Sequence, residues 1–299
     1  MKAPRVPRRP RTSTWRRLTH AVLGTALGAG LLMALAPAAS AASAAYVAIG
    51  DSYTSGYGLP GQLSSPPIIA GCGQSSNNYP HLVARHYNTT VDDRSCAGAT
   101  TAQFTGSQGA NPAQDSALGP NTVLVTVSMG GNDVDFSTTT SQCLAAGAAN
   151  RSCQTTQLNN LINSDLSRLA SHLPGDIAHM RSLAPNATIV YIGYLSGLPD
   201  QATWSATGCR SNLPYYPGDI AWLNTQGQRL NSVLRSAAQS QGAIFVDSLA
   251  KSAGHDPCRP VGTRWTEGLH PAAPATATFH PNLAGHSAYA SMIISALGG

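Results

Sequence analysis

The sequence predicts a single three-layer α/β/α sandwich with a mainly parallel central sheet. Three observations predict it. Short Val-, Ile- and Thr-rich runs alternate with stretches of helical periodicity along the chain. Several of the runs end directly in Gly or Asp beside further polar residues, as in Gly50-Asp51-Ser52, Gly130-Gly131-Asn132 and Asp247. No internal repeat and no second domain is visible. Folds of this class carry their chemistry just outside the carboxyl ends of their strands, so the polar residues at those ends are the first places to look for function.

Tyr46–Gly50 reads as the first strand, a short apolar run closed by glycine. Residues 77–86, NNYPHLVARH, follow as a helix with Tyr79, Leu82 and Val83 on its apolar side. The intervening residues 57–76 form a long loop with Pro60, Pro66, Pro67 and the apolar pair Ile68-Ile69. That loop either lines a pocket beside Ser52 or plugs the surface under the tie of Cys72. Thr122–Ser128, TVLVTVS, is a strand by its β-branched density. Residues 134–156 are polar. Leu158, Leu161, Ile162, Leu166 and Leu169 recur at helical spacing and predict a helix over 158–173. Thr188–Gly193 is the next strand, 222–241 a helix and Ala243–Val246 a further strand ending in Asp247. Residues 282–297 form the last helix, which Pro281 can begin.

The first 44 residues stand apart from this pattern. A head bearing seven Lys and Arg, the apolar run 21–36 and a small-residue spacer describe a secretory signal peptide, with cleavage near residue 41 or 44. Arg16-Arg17 leaves a twin-arginine route open beside the general secretory one, and a retained anchor is the competing reading. The full chain has a net charge of +5, but without the leader 11 basic groups face 13 acidic ones. The basic balance therefore belongs to targeting, and no clustered basic surface points to nucleic acid. Residues 45–299 are long enough for one well-buried domain. All six cysteines lie in that part, which suits an oxidising compartment. Six cysteines allow 15 pairings; sequential pairing is preferred because each pair closes a loop-rich section. Zinc is disfavoured, since no two cysteines have Cys-x2-4-Cys spacing.

Ser52, at the end of the first strand, has the setting of a nucleophile: Gly50 and Gly56 relieve crowding around its turn. A small hydroxyl capping a turn or helix is the plainer alternative. Asn132 offers an uncharged amide donor after the glycine pair, and Gly98 a backbone donor with no side chain in the way; either residue also suits a simple turn. His255, His270, His280 and His286 compete as the base. His280 is preferred because it precedes Pro281 and the last helix. His270 competes, with Glu267 three residues before it. The position three before His280 is Ala277, so a backbone carbonyl of Ala277 or Thr278 is expected to orient the ring, with Asp247 a distant alternative. Asp51 is expected to stabilise the nucleophile turn.

These blocks, in this order, resemble the SGNH, or GDSL, hydrolase superfamily, and more narrowly the secreted actinobacterial lipases and esterases with three disulfides. GDSY carries the first block through Ser52, SCAGAT the second through Gly98, GGND the third through Asn132 and FHPN the last through His280. The resemblance spans about residues 46–297. It implies a flavodoxin-like sheet, Ser52 as nucleophile and His280 as proton relay. The backbone amides of Ser52 and Gly98 and the Asn132 side chain would form the oxyanion hole. It supports the pairs Cys72–Cys96, Cys143–Cys153 and Cys209–Cys258. The chain departs from the superfamily's Asp-x-x-His pattern at Ala277. The expected activity is hydrolysis of acyl esters, of lipid or fatty acids, by a secreted monomer that needs no cofactor or metal. A phospholipase A1-like enzyme, an extracellular polysaccharide acetyl esterase and a non-catalytic binding module are the alternatives.

Overall fold

The computed structural model describes residues 44–64, 71–206 and 208–299. The expected leader, save its last residue, and the pair Ile68-Ile69 lie outside these. Five parallel strands form one sheet: β1 (Tyr46–Gly50), β2 (Asp92–Asp93), β3 (Leu124–Ser128), β4 (Thr188–Ile192) and β5 (Ile244–Val246), in the order β2-β1-β3-β4-β5. This is the flavodoxin-like order, in which the chain leaves β1 toward one edge and resumes at β3 on its other side. The crevice at that reversal lies between the carboxyl ends of β1 and β3, which pair in register from Tyr46–Leu124 to Gly50–Ser128.

Strand alternation builds two cores. Val47, Ile49, Val125, Val127, Ile189 and Tyr191 face one way and pack with Leu166, Leu169, Leu173 and Ile177 of α4 (Thr156–Leu183) and Leu223, Leu230 and Leu234 of α6 (Asp219–Ser240). Tyr46, Ala48, Val190, Ile192 and Val246 face the other way, against Tyr79 and Val83 of α2 (Tyr79–His86) and Tyr289 and Ile293 of α8 (Leu283–Ala296). The sheet is thus buried on both faces, the third layer being the condition for an all-parallel sheet. The other α-helices among the described residues are α1 (Ser52–Ser55), α3 (Phe136–Ala148), α5 (Gln201–Ala206) and α7 (Ser248–Lys251).

Three of the differences from expectation lie in the long helices. Residues 136–148 form a helix where a polar connection was expected; its buried face is made of Thr139, Thr140, Cys143, Ala146 and Gly147, too small and polar to register as an apolar stripe. The helix expected to end at Leu173 runs ten residues further, through Pro174. Burial of Ile177 and Met180 extends it, and the carbonyl of Ala170, which loses its helical donor to the proline, belongs to an exposed residue. The last helix starts at Leu283, capped by the Asn282 side chain, which accepts from the Gly285 amide. The disulfides join Cys72–Cys96, Cys143–Cys153 and Cys209–Cys258, the sequential pairs.

Candidate active site

β1 delivers Ser52 to the crevice through a turn with no room for side chains. A Cβ on Gly50 would lie 2.0 Å from Thr54 Oγ1 and 2.7 Å from the Ser128 carbonyl. Gln114 holds both polar groups of Gly50, accepting from its amide at 2.8 Å and donating to its carbonyl at 3.0 Å. Asp51 caps α1, accepting the Tyr53 amide at 2.9 Å, and so braces the turn that carries Ser52. Gly56, at φ +78°, ends that single turn.

β3 delivers Asn132 in the same way. Gly130 has φ +123°, a conformation glycine adopts freely. The Asn132 Nδ2 donates to the Ala99 carbonyl at 2.8 Å. That bond uses one amide hydrogen and leaves the second for a ligand. Asp133 fastens the same loop by accepting the Thr101 amide, at 3.0 Å to Oδ2. Gly98 lies in this loop, exposed, at φ +79°, where a Cβ would meet only Gln108 Nε2, at 3.9 Å. Its neighbours Ala97 and Ala99 give their amides to Cys72 and Cys96, while the Gly98 amide has no partner among the described residues. Gly98 does not line the cavity that Ser52, Asn132 and His280 share.

His280 comes from an irregular segment. The Phe279 amide donates to the Glu267 carbonyl at 3.1 Å, the Glu267 amide to the His280 carbonyl at 3.0 Å, and the Asn282 amide to the Trp265 carbonyl at 2.9 Å. Held there, His280 places Nε2 2.8 Å from Ser52 Oγ and Nδ1 2.7 Å from the Thr278 carbonyl. A carbonyl only accepts, so Nδ1 carries the proton and Nε2 is free to accept from the serine hydroxyl. Burial lowers the imidazole below the ordinary 6.5, and the Thr278 bond offsets part of that fall.

The carbonyl that meets His280 Nδ1 is that of Thr278. Ala277 turns inward instead and packs against Gly58, where even a Cβ would lie 2.4 Å from the alanine methyl. Asp247 is engaged elsewhere: it pairs with Arg235 at 2.5 Å and caps α7. The rival acid Glu267 does not orient His270. Its carboxylate is buried on Arg264, the Ala272 amide and Asn282 Nδ2, bracing the segment that carries His280. His255 stacks on Trp265 with centroids 3.8 Å apart. His286 is fully buried, its Nδ1 accepting the Tyr79 amide at 3.1 Å, and burial pushes it down to about 3.

Two tyrosines that the sequence reading passed over complete the arrangement. The Tyr194 hydroxyl donates to Asp51 Oδ2 at 2.5 Å and accepts the Gly131 amide at 2.8 Å, tying the ends of β1 and β3 together. Burial raises the Asp51 carboxyl to about 7. The Tyr53 hydroxyl donates to the Phe279 carbonyl at 2.5 Å. Tyr194 stands two residues past β4, as Ser52 does past β1, and Tyr53 is the fourth residue of GDSY.

Ser52, Asn132 and His280 open onto a cavity of about 310 Å³ whose walls are largely apolar, among them Phe136 and Leu144 of α3, Leu198, and Leu223 and Leu230 of α6. A hydroxyl, a neutral imidazole in the accepting tautomer and an amide donor beside an apolar recess can activate an oxygen nucleophile and receive a developing oxyanion.

Comparison with known proteins agrees with this chemistry. Residues 48–288 match the GDSL-like Lipase/Acylhydrolase family. Lipase 2 of Streptomyces coelicolor is 35% identical over 293 residues, covering 94% of this chain and 95% of that protein. The crystal structure of phospholipase A1 from Streptomyces albidoflavus NA297 superposes with a TM-score of 0.66 at 25% identity, over 85% of this chain and 99% of that one. That of the extracellular lipase from Streptomyces rimosus does so with a TM-score of 0.61 at 26% identity, over 84% and 98%. The chain belongs to the GDSL-like lipase/acylhydrolase family.

Proposed function

We propose that this protein is a secreted serine ester hydrolase that cleaves fatty acyl esters, with Ser52 as nucleophile, His280 as general base and acid, and Asn132 with the Ser52 and Gly98 amides as oxyanion donors. The observation that carries the reading is the 2.8 Å contact of Ser52 Oγ with His280 Nε2 at the mouth of the apolar cavity. His280 takes the hydroxyl proton as Oγ attacks the ester carbonyl, and the carbonyl electrons move onto the oxyanion. Collapse of the tetrahedral intermediate breaks the bond to the alkoxy oxygen, which leaves as the alcohol with the proton returned from His280. Water then enters, gives its proton to His280 and attacks the acyl-enzyme. The carboxylic acid departs as Oγ regains a proton. Thr278 keeps the proton on Nδ1 through both half-reactions.

The apolar walls favour an acyl chain over an acetyl group. A cavity of about 310 Å³ leaves room for an acyl group much larger than acetyl. The likeness to a phospholipase A1 structure favours phospholipids as a second substrate class. Three disulfides and the likeness to an extracellular lipase support export of residues 45–299 after removal of the leader. No helix among the described residues is long and apolar enough to cross a membrane. All the proposed groups come from one chain, so a monomer suffices.

The test profiles wild-type and S52A protein against acyl esters of increasing length, phospholipids and acetylated glycans, with an organophosphonate as active-site label. Hydrolysis of medium-chain esters and labelling, both abolished in S52A, are expected. Strong glycan deacetylation beside negligible cleavage of longer acyl esters would defeat the reading.

A further inference from the structure

Phe279, the residue before His280, has φ +58°, in the left-handed region that residues with side chains seldom occupy. This conformation curls the chain so that the Thr278 carbonyl turns back to the imidazole two residues later. The Thr278 carbonyl and the Phe279 amide share one peptide plane, and the Phe279 carbonyl and His280 amide share the next. Glu267 holds the first plane by accepting the Phe279 amide at 3.1 Å. Tyr53 holds the second, its hydroxyl donating to the Phe279 carbonyl at 2.5 Å. The Tyr53 ring is itself fixed, edge-on to Tyr194 with centroids 5.1 Å apart and beside the His280 ring at 5.2 Å. Because Tyr53 directly follows Ser52, one residue registers the nucleophile turn against the base segment.

We propose that Tyr53 is a positioning residue for His280. By clamping the turn at Phe279, its hydroxyl keeps the Thr278 carbonyl on Nδ1, the orienting role that a carboxylate three residues before the histidine would otherwise fill. The inference rests on the proposed role of His280 as base, but its structural claim is independent of substrate. A plain alternative is that the hydroxyl only satisfies itself on a convenient carbonyl, in which case its removal costs stability and little else.

The experiment compares wild type, Y53F, Y194F and the double variant Y53F/F279G. The His280 Nδ1 proton is followed as a downfield resonance in protein carrying 15N-labelled histidine, assigned by its loss in H280N. In Y53F the resonance should be lost or exchange rapidly, and kcat should fall about 10- to 100-fold, the scale of an ångström-sized misplacement, with KM within about two-fold. Y194F, which leaves the Phe279 carbonyl bonded, should retain the resonance. Glycine at 279 adopts the left-handed turn without help, so Y53F/F279G should recover part of the resonance and of kcat relative to Y53F. The proposal is overturned if Y53F keeps the resonance and a kcat within about two-fold of wild type. It is also overturned if the double variant, folded by its circular dichroism, recovers neither. Activity persisting in S52A would instead overturn the functional reading, and the resonance would still decide the clamp.

Discussion

Ser52 and Asn132 stand on the sheet, each within four residues of a buried strand, whereas His280 hangs on an irregular segment that pairs with the backbone of residues 265–267. The first half is fixed by strand register, by glycines at 50 and 130 and by one tyrosine between the strand ends. Hydrogen bonds within and across loops fix the second, including one at a residue with positive φ. A sheet buried on both faces opens only with global unfolding, while loop contacts open locally at lower cost. The His280 side is therefore where orientation is most easily lost.

Removing either reacting group should have the largest effect. S52A and H280A should each lower kcat by about 10⁶-fold, and the double variant S52A/H280A should be no worse than either alone, because the two groups act as one unit. Steady-state kinetics on a medium-chain ester reads this directly. Additive losses would mean that the halves work separately. On the sheet side, N132A should lower kcat by about 10²–10³-fold with little change in KM, since an oxyanion donor acts only as charge develops. A loss confined to KM would make Asn132 a substrate-binding group.

How much of this was readable from the chain follows the same division. Every strand longer than two residues announced itself by β-branched or apolar density, and the residues just past their ends pointed to Ser52 and Asn132. β2 is only Asp92-Asp93, paired with β1 by backbone alone, and carries no apolar signal. α3 packs through small residues: a Cβ on Gly147 would lie 2.2 Å from the Pro214 carbonyl, a closeness that hydropathy does not encode. His280 was legible as a candidate by its place before the last helix. That Thr278 and not Ala277 supplies the carbonyl depends on the sign of one torsion at Phe279, and nothing about a phenylalanine advertises a left-handed turn. The competing pair Glu267 and His270 stayed open for the same reason, because local spacing cannot reveal that the carboxylate turns to Arg264 and Asn282.

The missing acid at 277 invites the substitution A277D, and the packing argues against a gain from it. The alanine methyl already presses on Gly58, so a carboxylate there should overpack the loop and lower stability by about 1–3 kcal/mol, seen as a reduced melting temperature, without raising kcat. An increase in kcat would show that the base side has room for a conventional acid. D247A, which alters a carboxylate paired with Arg235 and absent from the cavity lining, should leave kcat within about two-fold.

The smallest effect concerns pH and separates a carbonyl-oriented histidine from a carboxylate-oriented one. A neighbouring carboxylate would favour the imidazolium and raise its pKa, whereas a carbonyl adds no charge and burial dominates, lowering it below 6.5. The reactive form is neutral, so activity is lost as pH falls through the His280 pKa. With that value depressed, the acid limb of kcat/KM should have its midpoint below pH 6.5, and the enzyme should hold most of its activity at a pH where an ordinary histidine is half protonated. Because kcat/KM reports the free enzyme, a soluble short-chain ester measured across the acid range is sufficient. A midpoint at or above 6.5 would require a negative charge near the ring, which the Thr278 carbonyl does not supply.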